Sequence, residues 1–509
     1  MPENDRKQVA DKRNRRGYHV PELIVGYGDD SADILGQIDD WIGNLTKARE
    51  RSGCLKRLSR ASQQKFNPGA AESALRLAVT AYTERELEKK LVWMGKMIAR
   101  QPETPFSFSS VGIFYGQGMP SGRTAFLFPG QGAQYLGMGG ALAGMYPTAG
   151  RIWHTLGNIR FAGKSIREVV FPEEAVDEAS RKKAFLRLSQ ADWTNPGIAV
   201  AGESIFSLLT EMGLYPDAVA AHSFGDISAF HSAGILTAED MLAAIRYRGE
   251  LGVACPLATR GCILVVPETA EKARSILNAN RFDDVWIANY NTPRQVVLSG
   301  IKESVHRAHE AFAAEGIDSQ LIPISAAPHC PLAVAVAKKF FKYLHTLEFH
   351  PAQCEVYSFL FGRKVGNNPD LFRKLLKSHI EKPVRFLDQI RHMHQDGIRI
   401  FVEIGPSDIL TRLTGRILTD RAHLALATDD RKGDPLLAFL NTVAALYKEG
   451  LIYNLKPLWA GHEVLDGDFE PYDVGGNDSG RDEDTEKRLK KLELEFARID
   501  QERIPARVL

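Results

Sequence analysis

The chain has 509 residues, 44% of them hydrophobic and 25% charged, which is enough for about two or three globular domains. Its 64 Lys and Arg side chains nearly balance 63 Asp and Glu side chains, which argues against a nucleic-acid or anionic-membrane partner. The five scattered cysteines include no C-x-x-C pair, so we expect no disulfide framework or zinc site, and we predict a reducing, cytoplasmic setting.

The first 18 residues are polar and basic and lack the apolar segment of a secretion signal, so we expect a disordered arm. Two segments of the same design follow, at 22–45 and 75–98, each running from an apolar strand into an amphipathic helix. A third strand is predicted at 111–116. Together these elements predict a small α+β domain at 19–118.

From Gly122 onward, short apolar strands alternate with helical patterns, which is typical of a mostly parallel α/β domain. Buried strands that end in turns are predicted at 124–130, 219–225 and 398–406. A β-rich insertion is predicted from apolar runs at 262–266, 285–290 and 295–300.

After about residue 460 the chain becomes acidic and Gly-rich, and a charged helix is predicted at about 484–500. The helix carries a narrow apolar stripe, formed by Leu489, Leu492, Phe496 and Ile499. Such a short helix is marginal alone in water, so the stripe needs a surface: the second domain, a partner subunit or a second copy. We expect docking to another subunit, with a solvated tail as the alternative.

The candidate nucleophile is Ser223, in the sequence Ala-His-Ser-Phe-Gly between an apolar strand and a helix. A serine on such a turn has its hydroxyl lifted above the sheet edge, and the helix N-terminus supplies backbone N–H groups. Ala221 stands where this pattern usually has Gly. The alternative is an ordinary turn serine.

Three further sequence elements could complete an active site around Ser223. The turn FPGQGAQ at 128–134 can present backbone N–H groups as an oxyanion hole, although its Gly and Pro residues also suit a plain turn. His329 is a candidate general base, or else a structural histidine. Arg248 is a candidate for bidentate carboxylate binding, or else a surface arginine.

Taken in order, these elements resemble the malonyl-CoA:acyl-carrier-protein transacylase family, which includes the acyltransferase domains of polyketide and fatty-acid synthases. The motifs are FPGQGAQ, HSFGD, the Arg248-Gly249 pair, ANYNTPRQVVLSG at 288–300, SAAPHCPL, KPVRF at 382–386 and EIGPSDILTRL at 403–413. Residues 19–118 resemble the linker domain between ketosynthase and acyltransferase. The GIFYG and HSFG passages look most like polyunsaturated-fatty-acid and enediyne-type synthases.

The resemblance implies an α/β fold, with an α/β-hydrolase-like large subdomain and a ferredoxin-like small subdomain at about 259–322. The order would be a disordered arm at 1–18, the linker domain at 19–118, the acyltransferase domain at 123–460, and an acidic tether with an amphipathic helix at 461–509. The implied reaction moves a malonyl-type acyl group from coenzyme A, through an acyl-serine, to the phosphopantetheine thiol of an acyl carrier protein. The expected partners are acyl-CoA, the carrier protein and a ketosynthase or other synthase subunit, with no nucleic acid, membrane, metal or redox cofactor.

By the same resemblance, Ser223 would be the nucleophile, His329 its base, and Arg248 the clamp for the malonyl carboxylate. The backbone amides of Gln131 and Phe224 would form the oxyanion hole. The remaining candidates for the substrate site are His222, Asn289, Asn291, His379 and Asn195.

The sequence differs from the family pattern at three positions near these candidate site residues. Asn195 stands where the family usually has Gln before Pro. His379 replaces a Gln whose carbonyl helps to orient the catalytic histidine, so that support would come from the backbone or be altered. Pro328 precedes His329 where polyketide domains commonly carry Phe or Ser, which weakens any prediction of the extender unit.

Three other functions stay open: an acyl hydrolase on the same scaffold, an ordinary esterase, and an inactive scaffold that docks a carrier protein. Hydrolases that resemble the family usually lack the arginine, no clear Asp precedes the His as in an esterase, and a scaffold would not need all four site elements. His392 and His394 are two residues apart on a predicted helix, so they face different sides and do not predict a metal site. Cys330 lacks the turn that Ser223 has.

Overall fold

The computed structural model describes residues 20–47, 53–68, 74–255, 261–322, 327–459 and 481–503. The predicted basic arm at 1–18 and most of the acidic tether lie outside these residues. Within them, no helix is both long and apolar enough to cross a bilayer.

Strands and helices alternate along most of the described chain. The strands are β1 (Glu22–Gly28), β2 (Leu75–Ala81), β3 (Phe106–Phe108), β4 (Ile113–Gly116), β5 (Arg123–Phe128), β6 (Arg160–Phe161), β7 (Lys164–Ser165), β8 (Ala218–Ala221), β9 (Gly261–Val266), β10 (Val285–Thr292), β11 (Gln295–Ile301), β12 (Gln320–Ile322), β13 (Glu355–Ser358), β14 (Arg363–Lys364), β15 (Ile398–Glu403) and β16 (Leu424–Ala427). The α-helices are α1 (Ser31–Lys47), α2 (Cys54–Lys65), α3 (Glu84–Arg100), α4 (Gly140–Met145), α5 (Pro147–Thr155), α6 (Ile166–Val170), α7 (Glu178–Leu188), α8 (Ala191–Glu211), α9 (Gly225–Ser232), α10 (Ala238–Val253), α11 (Ala270–Ala279), α12 (Lys302–Ala314), α13 (Val334–Leu344), α14 (Pro369–Ser378), α15 (Phe386–Gln395), α16 (Ile409–Ile417), α17 (Pro435–Lys448) and α18 (Arg481–Arg503).

The chain forms two compact units. The first takes its described residues from Met1–Pro120, Leu209–Leu214 and Leu436–Leu509, and the second from Ser121–Leu208 and Tyr215–Pro435. Nearly all of α17 thus belongs to the first unit, although its sequence position lies within the acyltransferase domain predicted at 123–460.

The first unit is built on an antiparallel sheet of order β1-β2-β4-β3. The apolar stripes of α1 and α3 form its core, through Ile34, Ile38, Trp41, Leu87, Leu91, Met94 and Ile98. The sequence did not predict α2, which attaches to β1 through polar groups: Ser59 Oγ and Gln63 Nε2 donate to the Leu23 carbonyl oxygen at 2.9 and 2.8 Å. The helix has few apolar side chains to reveal it in the sequence: besides Cys54 and Leu55, its buried residues are polar.

The helix α18 packs within this first unit. Its Leu489, Leu492 and Ile499 are buried, and the ring of Phe496 stacks on Trp93 of α3 with centroids 4.8 Å apart. The expectation that this stripe docks onto another subunit is therefore wrong, because the surface it covers belongs to its own chain.

The second unit contains a six-stranded sheet of order β14-β13-β8-β5-β15-β16. All neighbours pair in parallel except the edge pair β13 and β14. Phe128, the last residue of β5, lies opposite Ala221, the last residue of β8. Because parallel strands end at the same edge, the turns after β5 and β8 lie side by side, in the usual position of a ligand site in such sheets.

A smaller antiparallel sheet of order β10-β11-β9-β12 is inserted into the second unit. With α11 and α12 it follows the β-α-β-β-α-β order of a ferredoxin-like fold, as the resemblance implied. The helices pack on one apolar face of the sheet, where Leu264, Leu298 and Phe312 are fully buried. The strand β10 brings Asn289 and Asn291 toward the larger sheet, since Tyr290 N–H donates to the Val384 carbonyl oxygen at 2.8 Å.

Candidate active site

Ser223 lies on the turn between β8 and α9, at the carboxyl edge of the large sheet. Its backbone φ is 58°, in the left-handed region that residues other than glycine rarely adopt. The turn is closed by the Gly225 N–H, which donates to the His222 carbonyl oxygen at 3.2 Å. This strained strand–turn–helix geometry is that of a nucleophile elbow.

Two glycines allow the turn after β5 to approach this elbow. A Cβ on Gly130 would lie 2.6 Å from the His222 carbonyl oxygen, and a Cβ on Gly225 would lie 2.3 Å from the Phe128 carbonyl oxygen. Both obstacles are backbone atoms at the ends of paired strands, so they cannot move aside without opening the sheet. Only glycine at both positions permits this contact.

The backbone N–H groups of Gln131 and Phe224 lie on these two adjoining turns. Neither donates a hydrogen bond to any acceptor among the described residues, whereas the neighbouring Gly132 N–H donates to Gln134 Oε1 at 2.7 Å. Unused backbone donors beside a nucleophile are what binding of a developing oxyanion requires.

His329 lies directly against Ser223, with 2.7 Å between its Nε2 and the serine Oγ. Its Nδ1 is 3.0 Å from the Lys382 carbonyl oxygen, which can only accept, so the proton resides on Nδ1 and Nε2 is free to accept from Ser223. Burial, reinforced by the charge of Arg248 and the nearby His222, lowers the pKa of His329 to about 3. The imidazole is therefore neutral at physiological pH and can act as a base.

The support for His329 comes from the backbone, one of the two outcomes that the sequence left open. Besides the bond at Nδ1, the His329 N–H donates to the Ile380 carbonyl oxygen at 2.7 Å. The segment after α14 thus supplies both anchors, and the Lys382 carbonyl is a functional group that no side-chain motif could have pointed out.

Arg248 is buried, 7% exposed, on α10. Its Nε–H donates to Nε2 of His379 at 2.8 Å, so the His379 side chain bonds to the arginine and not to His329. Burial lowers the pKa of Arg248 to about 10, with Asp226 opposing the shift, so the guanidinium stays charged at neutral pH. It is not a surface arginine.

Asp226 is a buried carboxyl group that sequence reasoning passed over, although it ends the HSFGD motif. Burial raises its pKa well above the ordinary value, and the charge of Arg248 opposes this shift. No described carboxylate lies within ion-pair distance of Arg248. Among the described residues the buried cation therefore forms no ion pair, and Asp226 acts on it only through its charge at longer range.

His222, Asn289 and Asn291 form a hydrogen-bonded group next to the elbow. Nε2 of His222 is 3.0 Å from Asn291 Oδ1 and 3.1 Å from Asn289 Nδ2, so the tautomer decides which bond forms. Burial lowers the pKa of His222, which favours the neutral ring. The group links the elbow to the ferredoxin-like subdomain.

The side chain of Asn195 has no bond to the other predicted site residues within the described chain. It is fully buried in α8, and neither its Oδ1 nor its Nδ2 has a hydrogen-bond partner within the described chain. The described residues also contain no group of three or more His, Cys, Asp or Glu side chains that could hold a metal ion. His392 and His394 instead bond separately to the carbonyl oxygens of Asp388 and Ala422.

Several known proteins are similar to this chain in sequence or in structure. The polyketide synthase GfsA of Streptomyces halstedii is 32% identical over 303 residues, which are 58% of this chain but only 4% of that protein. The acyltransferase domain from the second module of the salinomycin polyketide synthase has a similar structure (TM-score 0.63, 26% identity, 86% of this chain, 95% of that chain). A type II polyketide synthase malonyl-transacylase, solved in complex with its acyl-carrier protein, is also similar (TM-score 0.55, 27% identity, 62% and 99%).

The family model that matches is described as the acyl transferase domain, and it covers residues 125–442, well over half of the chain. That span holds every predicted site residue and both turns of the large sheet that meet at Ser223. The chain belongs to the acyl transferase domain family.

Proposed function

We propose that this protein loads a malonyl-type acyl group from coenzyme A onto the phosphopantetheine thiol of an acyl carrier protein, through an ester on Ser223. The observation that carries the proposal is the 2.7 Å contact between Ser223 Oγ and a neutral His329, beside a buried arginine that forms no ion pair among the described residues. The carrier protein belongs to a polyketide or fatty-acid synthase, where a ketosynthase or another subunit uses the loaded unit.

In the first half-reaction, His329 Nε2 accepts the Ser223 proton as Oγ attacks the thioester carbonyl. The oxyanion that forms is stabilised by the backbone N–H groups of Gln131 and Phe224. The C–S bond then breaks, the coenzyme A thiolate takes the proton from His329, and an acyl-Ser223 ester remains. Neither the substrate nor the enzyme changes oxidation state, so the step needs no redox partner.

In the second half-reaction, the carrier thiol gives its proton to His329 and its sulfur attacks the acyl-Ser223 carbonyl. The same two N–H groups stabilise the second oxyanion. Ser223 Oγ leaves and regains the proton from His329, so the enzyme returns to its starting state. Such an order gives ping-pong kinetics.

Acyl selection rests on Arg248. A guanidinium binds a carboxylate with two parallel hydrogen bonds, so a buried one beside the nucleophile favours acyl groups that end in a carboxylate. This charge distinguishes the proposal from a hydrolase or esterase acting on neutral acyl chains.

Intact-mass spectrometry after incubation with malonyl-CoA tests the proposal. We expect one malonyl adduct on the wild-type chain and none on Ser223→Ala, because the base His329 lies at hydrogen-bond distance from Ser223. Ser232→Ala, at the last residue of α9, the helix that follows the Ser223 turn, is the matched control and should keep the adduct. An adduct that survives in Ser223→Ala would contradict the assignment, and loss of the malonyl group to water instead of to an added carrier protein would indicate a hydrolase.

A further inference from the structure

The imidazole of His379 accepts a hydrogen bond from an arginine in the interior of the protein. It is fully buried, and its Nε2 accepts the Arg248 Nε–H at 2.8 Å. An imidazole nitrogen that accepts carries no proton, so the ring must be neutral with its proton on Nδ1. The surroundings favour this form: burial, Arg248 and His329 together lower the pKa of His379 well below its ordinary value.

The ring of His379 lies nearly parallel to two aromatic side chains. Phe340 and Phe359 both stack on it, with centroids at 6.0 and 6.2 Å and interplanar angles of 11° and 19°. Phe359 also meets the ring of His329 edge-on, at 5.9 Å and 89°. One phenylalanine ring thus contacts the histidine that bonds to Arg248 and the histidine that bonds to Ser223.

We propose that His379 is a positioning residue that holds the Arg248 guanidinium ready for the carboxylate of the acyl substrate while leaving its charge unneutralised. This proposal rests on the function proposed above. An acidic residue in the same place would fix the arginine equally well, but it would compensate the positive charge that the substrate must find. A neutral acceptor orients the group through one nitrogen.

The remaining nitrogens of Arg248 fit this role. Its two terminal nitrogens have no hydrogen-bond acceptor among the described residues, so they are free to meet both oxygens of a carboxylate. The bond at Nε removes rotational freedom from the side chain before the substrate arrives, which lowers the cost of binding. His379 therefore acts on selectivity through Arg248 and touches no reacting atom.

The test compares kcat/KM for malonyl-CoA and acetyl-CoA in His379→Phe and His379→Gln. Phe keeps an aromatic ring beside Phe340 and Phe359 but has no acceptor, so the malonyl-to-acetyl ratio should fall by about 10- to 100-fold, the usual cost of a hydrogen bond to a charged group. Gln restores an acceptor and should recover most of the ratio. His345→Phe, the same exchange at an exposed position, is the control and should behave as the wild type.

A wild-type ratio in folded His379→Phe would overturn the proposal, and so would failure of Gln to do better than Phe. If His379→Phe does not fold, nitrogen NMR of the wild-type imidazoles decides: protonation of the His379 Nε2 would exclude the bond from Arg248, and protonation of Nδ1 would support it. If the wild-type chain forms no malonyl-Ser223 adduct at all, the proposed function itself fails, and this inference fails with it.

Discussion

At the scale of single residues, the site is defined by groups whose charge state is set by burial. His329 and His379 are both neutral, while Arg248 remains charged at neutral pH. Desolvation acts against the charged form of each group, but arginine starts from so high a pKa that it keeps its proton. The result is a neutral base, His329, and a charged arginine, Arg248, within one buried cluster.

This charge pattern predicts the pH dependence of acyl loading. The acid limb of kcat/KM should lie well below pH 6.5, near the His329 pKa of about 3, because the base loses its free Nε2 only below that value. The free energy of unfolding should also fall in acid. Between about pH 6.5 and pH 3 the His329 imidazole is protonated in the unfolded chain but not in the native chain, so stability is lost as the pH falls through this range. A loading rate that halves near pH 6.5 while the protein stays folded would contradict the prediction.

Loss of the arginine should change substrate preference more than catalysis. In Arg248→Ala, malonyl loading should weaken by about 2–5 kcal/mol, since a buried charge-assisted pair with the substrate carboxylate is removed. Acetyl-CoA has no carboxylate, so loading of acetyl should suffer less. Competition between the two thioesters, read by intact mass, measures the change; an unaltered malonyl-to-acetyl ratio would show that the carboxylate binds elsewhere.

At the scale of elements, α10 is placed by a close backbone contact. A Cβ on Gly249 would lie 2.6 Å from the Ala191 carbonyl oxygen and 2.8 Å from the Asp192 Cα, so α10 and the start of α8 touch through their backbones. Arg248 is the residue next to this contact in α10. Gly252, nearly one turn further along, offers a matched comparison, because a Cβ there would meet no described atom within 4 Å.

Gly249→Ala should therefore lower stability by about 1–3 kcal/mol through overpacking and should reduce malonyl loading, because α10 must move away from α8. Gly252→Ala should be neutral or up to about 1 kcal/mol more stable, since alanine favours a helix over glycine. Thermal unfolding and loading rates of the two variants give the answer. Equal stability of both would mean that the backbone contact is not tight.

At the scale of the whole molecule, the first unit is completed by the C-terminal part of the chain. The Arg76 guanidinium on β2 donates to the Tyr447 carbonyl oxygen at 3.1 Å, and α18 covers the apolar face of α3. Ion pairs of Arg85 with Glu486 and of Lys89 with Glu493 flank this contact. These pairs are exposed, so the apolar stripe provides most of the attachment.

The apolar stripe of α18 predicts that two alanine variants of this helix will differ in stability. Phe496→Ala should cost about 1–3 kcal/mol, less than a fully buried phenylalanine, because it loses the stack on Trp93 while its side chain is only half-buried. Leu494→Ala is the control: that side chain is 72% exposed and should change little. Calorimetric unfolding of both variants measures the difference, and equal transitions would mean that α18 does not hold to α3 in solution.

Local sequence determined those features that depend on neighbouring residues. The strand β2 begins and ends where its apolar run does, at 75–81, and the elbow at Ser223 follows from a buried strand, a tight turn and a helix start. The need for glycine at positions 130 and 225, by contrast, comes from the approach of two turns that are far apart in the chain. Order and spacing of the motifs then identified the family.

Only the tertiary structure decided which faces and side chains meet. Periodicity shows that α18 has an apolar stripe, but α3 was found as its partner only in the folded chain, hundreds of residues away in sequence. The bond between Arg248 and His379, the role of the Lys382 carbonyl and the burial of Asp226 likewise depend on packing of segments far apart in the chain. Burial and desolvation depend on the folded structure. A sequence pattern can therefore identify candidate residues, but it cannot predict their hydrogen-bond partners or their charge state.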